Sequence, residues 1–226
     1  QQVHFSSRRG WNNDPNGLVY YKGEYHLFYQ HNPFGWEWGN MHWGHAVSKD
    51  LIHWKELPNV LYTPVHDHMA FSGSSVIAGQ NTSGFSKNGI DPIVAAYTRT
   101  GEGESLALSY DSGRTFQEYA DNPVVDHEGR DPKVFWYEPG QHWVMVVYDK
   151  SHDYDMGHGE QVAPHQLAIY TSPNLKDWTY QSAVPGFFEC PELFEMEVEG
   201  ESATKWVMYG ADGKYRVGDF NGKTFT

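Results

Sequence analysis

The chain has 226 residues, 39% hydrophobic and 20% charged, enough to bury a sizeable core in one domain. Its formal net charge of -13 argues against nucleic acid or an anionic membrane surface as a partner, since both need clustered Lys and Arg. No run of 18 apolar residues exists, so no membrane-spanning helix is expected, and Cys190, the single cysteine, leaves no intrachain disulfide and no cysteine-based zinc site.

In chain order the signal is short β-strands broken by Gly, Pro, Asn and Asp, with no helical periodicity. The first unit reads Leu18–Tyr21, Tyr25–Gln30, Gly44–Ser48 and Trp54–Leu57. The second reads Ser75–Ile77, Ile93–Thr98, Ser105–Tyr110 and Phe116–Tyr119. A third follows as Lys133–Tyr137, Trp143–Tyr148, Leu167–Thr171 and Trp178–Gln181. The fourth reads Glu192–Val198, Trp206–Tyr209 and Tyr215–Asp219, with a short outer strand near Phe225. Ser48-Lys49-Asp50-Leu51-Ile52-His53-Trp54 is echoed by Ser172-Pro173-Asn174-Leu175-Lys176-Asp177-Trp178, and more loosely by Ser109 to Phe116. Short polar side chains in such turns bond their own backbone, and the aromatic anchors the outer strand.

Each unit opens on related punctuation. Trp11-Asn12-Asn13-Asp14-Pro15-Asn16-Gly17 precedes the first strand, Phe71-Ser72-Gly73-Ser74 the second unit, Arg130-Asp131-Pro132 the third and Phe188-Glu189-Cys190-Pro191 the fourth. Asp14, Ser72, Asp131 and Glu189 follow one another at 58, 59 and 58 positions. Repeating four-stranded units of this length predict a β-propeller, each unit a blade whose first strand lines a central channel. A β-sandwich, the other all-β option, gives no reason for acids to recur at one strand end.

In a propeller, equivalent positions on the first strands converge. Asp14, Asp131 and Glu189 should therefore meet at the floor of a funnel, with Ser72 between them. Like charges in one pocket raise one pKa and leave an acid beside a base, the pair that glycoside hydrolysis uses. This argument alone does not say which of the three acids is the spectator. The aromatic content of 16%, with nine Trp, suits both sheet packing and the stacking of sugar rings. The His152–Gln166 loop, with His66, Asp67 and His68, is where a metal would be sought. Its histidines lack metal-ligand spacing, so no metal and no cofactor is expected.

The ordered set of motifs resembles glycoside hydrolase family 32, the fructan-cleaving invertases, inulinases, levanases and related fructosyltransferases. The likeness extends to His4-Phe5, Phe28-Tyr29-Gln30-His31-Asn32-Pro33 and Trp38-Gly39-Asn40-Met41-His42-Trp43-Gly44-His45-Ala46, and so covers essentially the whole chain. It implies a five-bladed propeller with a β-sandwich behind it, and cleavage of β-fructosidic bonds in sucrose, inulin or levan with retention of configuration. Asp14 would be the nucleophile, Glu189 the acid/base, and Asp131 the residue that holds sugar hydroxyls and stabilises the transition state. Asn13, Gln30, Trp38, Phe71, Ser72 and Arg130 would line the fructose subsite. The partner would be a fructose-containing oligo- or polysaccharide, and the location secreted or periplasmic, with a cytoplasmic one left open.

Arg130 is read both as a local ion pair with Asp131 and as a donor to the sugar. In an extended strand the Cys190 thiol points away from its neighbour Glu189 and packs. Asn12 stands where the family commonly has methionine, so the wall beside Asp14 is expected to be more polar. Length is the second departure. Only 37 residues follow Glu189, so residues 1–226 are expected to hold about four of five blades, with the fifth blade and any sandwich lying elsewhere. Fructosyl transfer, a sugar-binding propeller without turnover, and a pentose-cleaving propeller hydrolase are the competing readings. The intact Asp14–Glu189 pair counts against the second, and the first two motifs count against the third.

Overall fold

The structure is a computed structural model that describes residues 4–62, 68–150, 165–200 and 202–226. Four antiparallel sheets follow one another along the chain. The first contains β1 (Trp11–Tyr21), β2 (Glu24–Asn32), β3 (His42–Ser48) and β4 (Trp54–Leu61) in that order. The second contains β5 (Ala70–Ile77), β6 (Ile93–Arg99), β7 (Gly103–Ser109) and β8 (Gln117–Glu118). The third contains β9 (Gly129–Tyr137), β10 (His142–Asp149), β11 (Gln166–Ser172) and β12 (Thr179–Pro185), and the last β13 (Glu192–Glu197), β14 (Thr204–Tyr209) and β15 (Tyr215–Gly218). Each sheet is a simple meander, and β5 packs beside both β1 and β9, so the first strands stand together as inner strands of propeller blades. The only helical turns among the described residues are two 3-10 segments, and no helix is long and apolar enough to cross a membrane.

Side-chain alternation divides each middle strand between two cores. Along β10, Trp143, Met145 and Val147 face the second sheet, while Val144, Val146 and Tyr148 face the fourth. Along β6, Val94 and Ala96 join the core shared with the third sheet, while Ala95 and Tyr97 pack with Phe28 and Trp43 of the first. Both faces are buried, and this is why these strands read as continuous apolar runs rather than alternating ones.

The inner strands begin earlier than the apolar runs suggest. β1 takes in the whole Trp11–Gly17 motif, β5 takes in Phe71–Ser74, and β9 takes in Arg130–Pro132. β5 and β9 pass through their motifs with one residue more than their partners, and β1 with two, the second between Asn16 and Val19. The others fall between Asn12 and Pro15 in β1, between Ala70 and Gly73 in β5, and between Arg130 and Lys133 in β9. These are β-bulges, which bend a strand and re-aim a side chain. Proline, lacking an N–H for the ladder, sits at two of them. Asp131 has φ of 67°, the left-handed conformation that such an irregular residue needs and an apolar run does not.

The repeated polar turns form as expected. Asp50 Oδ1 accepts the N–H groups of Ile52 and His53 at 2.9 and 2.8 Å, and Asn174 Oδ1 those of Lys176 and Asp177, both at 3.0 Å. Asp111 Oδ1 does the same for Arg114 and Thr115 at 3.0 and 2.9 Å. The fourth sheet begins an outer strand: the Asp219 and Thr226 backbones exchange hydrogen bonds of 2.8 and 3.0 Å. Its outward face is open. Phe194, Val207 and Val217 are paired across it, and Phe194, Met196 and Val217 are exposed, as are Leu18 and Tyr20 of β1. Among the described residues no apolar cluster joins the first sheet to the fourth.

Between the first two sheets His26 Nδ1 lies 3.0 Å from His45 Nε2, both rings fully buried and stacked. The outer nitrogens, His26 Nε2 and His45 Nδ1, have no partner among the described residues. Burial, aided by the neighbouring His26 and Arg114 charges, holds His45 down to about 3, and burial with Arg114 lowers His26 as well. In the unfolded chain both titrate near 6.5. Below that pH the unfolded state binds protons that the fold refuses, so stability is lost as pH falls from about 6.5 towards 3. Each refused proton costs about 1.4 kcal/mol per pH unit. Asp131, raised to about 7, takes up a proton in the fold over the same range and offsets part of this slope. The test is therefore a difference: thermal melts between pH 7 and pH 4 should show the slopes of wild type and His45→Gln to differ by about one proton. An unchanged slope in that variant would remove the pair from the account.

Candidate active site

Three of the bulges aim one residue each into the same end of the channel. Asp14 comes from β1, Ser72 from β5 and Asp131 from β9, and Glu189 arrives from the turn before β13. A cavity of about 450 Å³ is lined by Asn13, Asp14, Gln30, Trp38, Phe71, Ser72, Arg130, Asp131 and Glu189. Every residue selected from the sequence for the acids or the sugar subsite is in that wall.

The carboxylates are tied together by short links. The Ser72 hydroxyl donates to Asp14 Oδ2 at 2.7 Å. The Cys190 N–H donates to Asp131 Oδ2 at 3.1 Å. A second cavity of about 400 Å³ lies behind, and Asp14, Ser72 and Asp131 line both, so they separate the funnel from the channel beneath it.

Two expectations change here. Glu189 and Cys190 have φ of 53° and 41°, so the segment is not extended and alternation does not apply. The thiol turns into the acid cluster, with Sγ 3.5 Å from Asp131 Oδ2 and 3.8 Å from Asp14 Oδ2. For Arg130 the expected ion pair with Asp131 is present, but it is the longer of two. Its Nε is 3.9 Å from Asp131 Oδ2, while Nη2 makes the close contact with Glu189 Oε1. The guanidinium lies over the rings of Tyr148 and Phe188, at 5.0 and 5.6 Å, which directs it across the pocket.

That arrangement bears on where a proton rests. Asp131 is only 6% exposed, and burial pushes it up to about 7. The Cys190 N–H and Arg130 pull the other way, and the Glu104 and Glu189 charges add to the rise. Asp131 therefore titrates close to neutral pH, beside the Arg130 charge that lowers it.

The remaining walls are apolar or amide. Trp38, 56% exposed, meets Phe71 edge-on at 6.0 Å. Trp43 is buried in the core instead, and its indole N–H donates to the Phe71 carbonyl at 2.9 Å. Gln30 is fixed by donating to the Ala70 carbonyl at 2.9 Å, and Asn13 Oδ1 accepts from the Trp11 indole at 2.8 Å. Asn12 does not line the cavity. It lies one position from Asn13 on the strand, and its Oδ1 accepts from Ser7 Oγ at 2.9 Å, so it does not make the wall beside Asp14 polar. Glu192 pairs with Lys133 outside the cavity, Nζ to Oε2 at 2.5 Å.

Among the described residues no group of three or more His, Cys, Asp or Glu is placed to hold a metal ion. His68 faces the Thr100 carbonyl at 2.5 Å and Glu102 at 3.8 Å, while His66, Asp67 and residues 152–164 lie outside the described residues.

Burial and the Asp131 and Asp14 charges drive the Cys190 thiol well above its usual range. At pH 8 its reaction with Ellman's reagent in the folded protein should run at least roughly tenfold slower than after denaturation. Equal rates would show a thiol outside this cluster.

The chain is 47% identical to a levanase of Bacillus subtilis over 99% of its own length and 35% of that protein's. To an extracellular exo-inulinase of Aspergillus niger it is 41% identical, covering 100% of this chain and 49% of the relative. The crystal structure of an exo-inulinase from Aspergillus awamori superposes with a TM-score of 0.86 at 39% identity, over 100% of this chain and 51% of that one. A β-fructofuranosidase from Schwanniomyces occidentalis complexed with fructosyl-erythritol gives the same score at 37% identity, over 100% and 47% of the two chains. The chain thus spans between about a third and a half of the length of the curated relatives it matches. Residues 4–225 match the glycosyl hydrolases family 32 N-terminal domain, and the chain belongs to that family.

Proposed function

We propose that the protein containing this chain cleaves β-fructosidic bonds in sucrose, inulin or levan with retention of configuration. The observation that carries this is the single cavity lined by Asp14, Asp131 and Glu189 together with Asn13, Gln30, Trp38, Phe71, Ser72 and Arg130. Relatives named levanase, exo-inulinase and invertase support the same substrate class.

In this reading Asp14 attacks the anomeric carbon, aimed by the Ser72 hydroxyl. Glu189 protonates the leaving oxygen and then activates the water that releases fructose. For that it must leave Arg130, and a fructose hydroxyl that accepts from the guanidinium would free the carboxyl to take up its proton. Asp131 is the partner of the ring hydroxyls. Trp38 and Phe71 form a wall for the sugar's apolar edge. Transfer to a second sugar instead of water uses the same covalent intermediate, and is the second reading.

Residues 1–226 supply four blades in this proposal, and a fifth blade elsewhere in the protein covers the apolar strip of the fourth sheet and the exposed Leu18 and Tyr20. Closure of the ring is how propellers protect such faces. The extracellular relative supports a secreted enzyme.

Incubating the complete protein with sucrose, inulin and levan, and following the anomer first released by NMR, tests the reading. Free fructose that appears as the β-anomer is expected, and an inverted product or no release from any of the three rejects it. The pH profile of kcat/KM should be bell-shaped, because an ionised Asp14 and a protonated Glu189 are needed together. Glu189→Gln should lose the alkaline limb along with most of kcat. A variant that kept that limb would place the acid role on another group.

A further inference from the structure

Behind Asp131, outside the lining of the sugar pocket, lies an ionic cluster that the proposed chemistry does not use. His127, whose side chain is 1% exposed, has Nε2 2.9 Å from Glu104 Oε1 and Nδ1 3.2 Å from Asp149 Oδ1, both carboxylates being fully buried. Two carboxylates that flank both ring nitrogens make the imidazole a cation. Burial pulls His127 down, but the hydrogen bonds and charges of Asp149 and Glu104 outweigh it and raise it to about 9.

The Thr98 side chain joins the cluster to the site. The Thr98 hydroxyl donates to Glu104 Oε2 at 2.9 Å, and accepts the Asp131 N–H at 2.8 Å. That N–H belongs to the left-handed residue at the β9 bulge, so the bond fixes the backbone turn that aims the carboxyl. The participants span two blades: Thr98 and Glu104 come from β6 and β7, Asp131 and Asp149 from β9 and β10. Buried ionic groups of this kind are rarely more stable than an apolar filling of the same volume, so stability alone does not account for them.

We propose that Thr98, Glu104, His127 and Asp149 are positioning residues for Asp131, holding its backbone at the bulge through Thr98 and setting the charge behind its carboxyl through the Glu104–His127–Asp149 cluster. This rests on the reading of Asp131 as the residue that meets the sugar hydroxyls. The groups that face Asp131 are Arg130 on its own strand, Glu104 from β7, and Glu189 and the Cys190 thiol from the turn before β13. Asp14 of β1 shares that thiol. His127 faces Glu104, Asp149 and, edge-on at 6.3 Å, the Tyr170 ring.

The test uses the complete protein and two kinds of variant. Thr98→Val keeps the shape and removes the hydroxyl, and should lower kcat roughly tenfold or more with KM changed much less, while Thr98→Ser restores most of it. His127→Gln leaves the cluster more negative and should raise the apparent pKa of Asp131, whereas Glu104→Gln makes it less negative and should lower it. Each shift should be about half a pH unit or more. Carbon-13 NMR titration of aspartate-labelled protein, with the Asp131 signal assigned by Asp131→Asn, reads these shifts without turnover. Opposite shifts with the Thr98→Ser rescue support the proposal. Shifts in one direction, no shifts, or equal losses in the valine and serine variants overturn it. Wild-type protein that releases no fructose defeats the functional reading instead, and the NMR titration still decides the charge relation.

Discussion

Repulsion between carboxylates brought to one end of a narrow channel is the constraint on which the rest of this structure depends. A propeller axis imposes it, because every blade contributes its first strand to the same small space. The surroundings answer with different donors for each acid: a hydroxyl for Asp14, a backbone N–H and a thiol for Asp131, and a guanidinium for Glu189. Burial does the rest, and it acts unequally. Asp131 is the most enclosed, and burial pushes it up to about 7. Unequal environments are what allow chemically similar groups to take different roles.

The backbone makes this possible before any side chain does. A regular strand would show alternate residues to alternate faces and send half of each motif into the sheet packing. Extra residues in β1, β5 and β9, two in the first and one in each of the others, break that rule locally, while the middle strands keep strict alternation and fill two cores at once. The Ser74 hydroxyl shows how the inner strands are joined: it donates to the Pro132 carbonyl and accepts the Val134 N–H, both at 2.8 Å, next to the bulge of β9.

Much of this was legible in the sequence because it is periodic. The 58- and 59-residue spacing located the four units and the convergent residues, and the Ser-x-Asp or Ser-x-Asn turns marked the outer strands. The acids themselves were visible as punctuation, but not as members of strands, since Asp-Pro and Asn-Gly are ordinary turn formers and a bulge has no distinct composition. Cys190 was misread because alternation was assumed where the backbone is left-handed. Asn12 was misread for a related reason, since one position along β1 decides between cavity and strand flank. The partner of Arg130 depended on the two rings beneath it, which come from β10 and from the residue before Glu189. Thr98, Glu104, His127 and Asp149 gave no local signal at all, as each is an ordinary residue in its own segment and they meet only across two blades.

The bulges have a consequence for how such chains can change over generations. A substitution near Asp14, Ser72 or Asp131 alters one contact, but a single-residue deletion or insertion in these strands alters phase. Loss of the extra residue would restore plain alternation, turn the acid towards a packed sheet and carry an apolar side chain into the funnel. The connections beyond the strand ends face no such arithmetic. Length variation is therefore affordable around the rim and nearly forbidden along the axis, so that lineages can exchange rims freely while inheriting the reading frame of the inner strands intact.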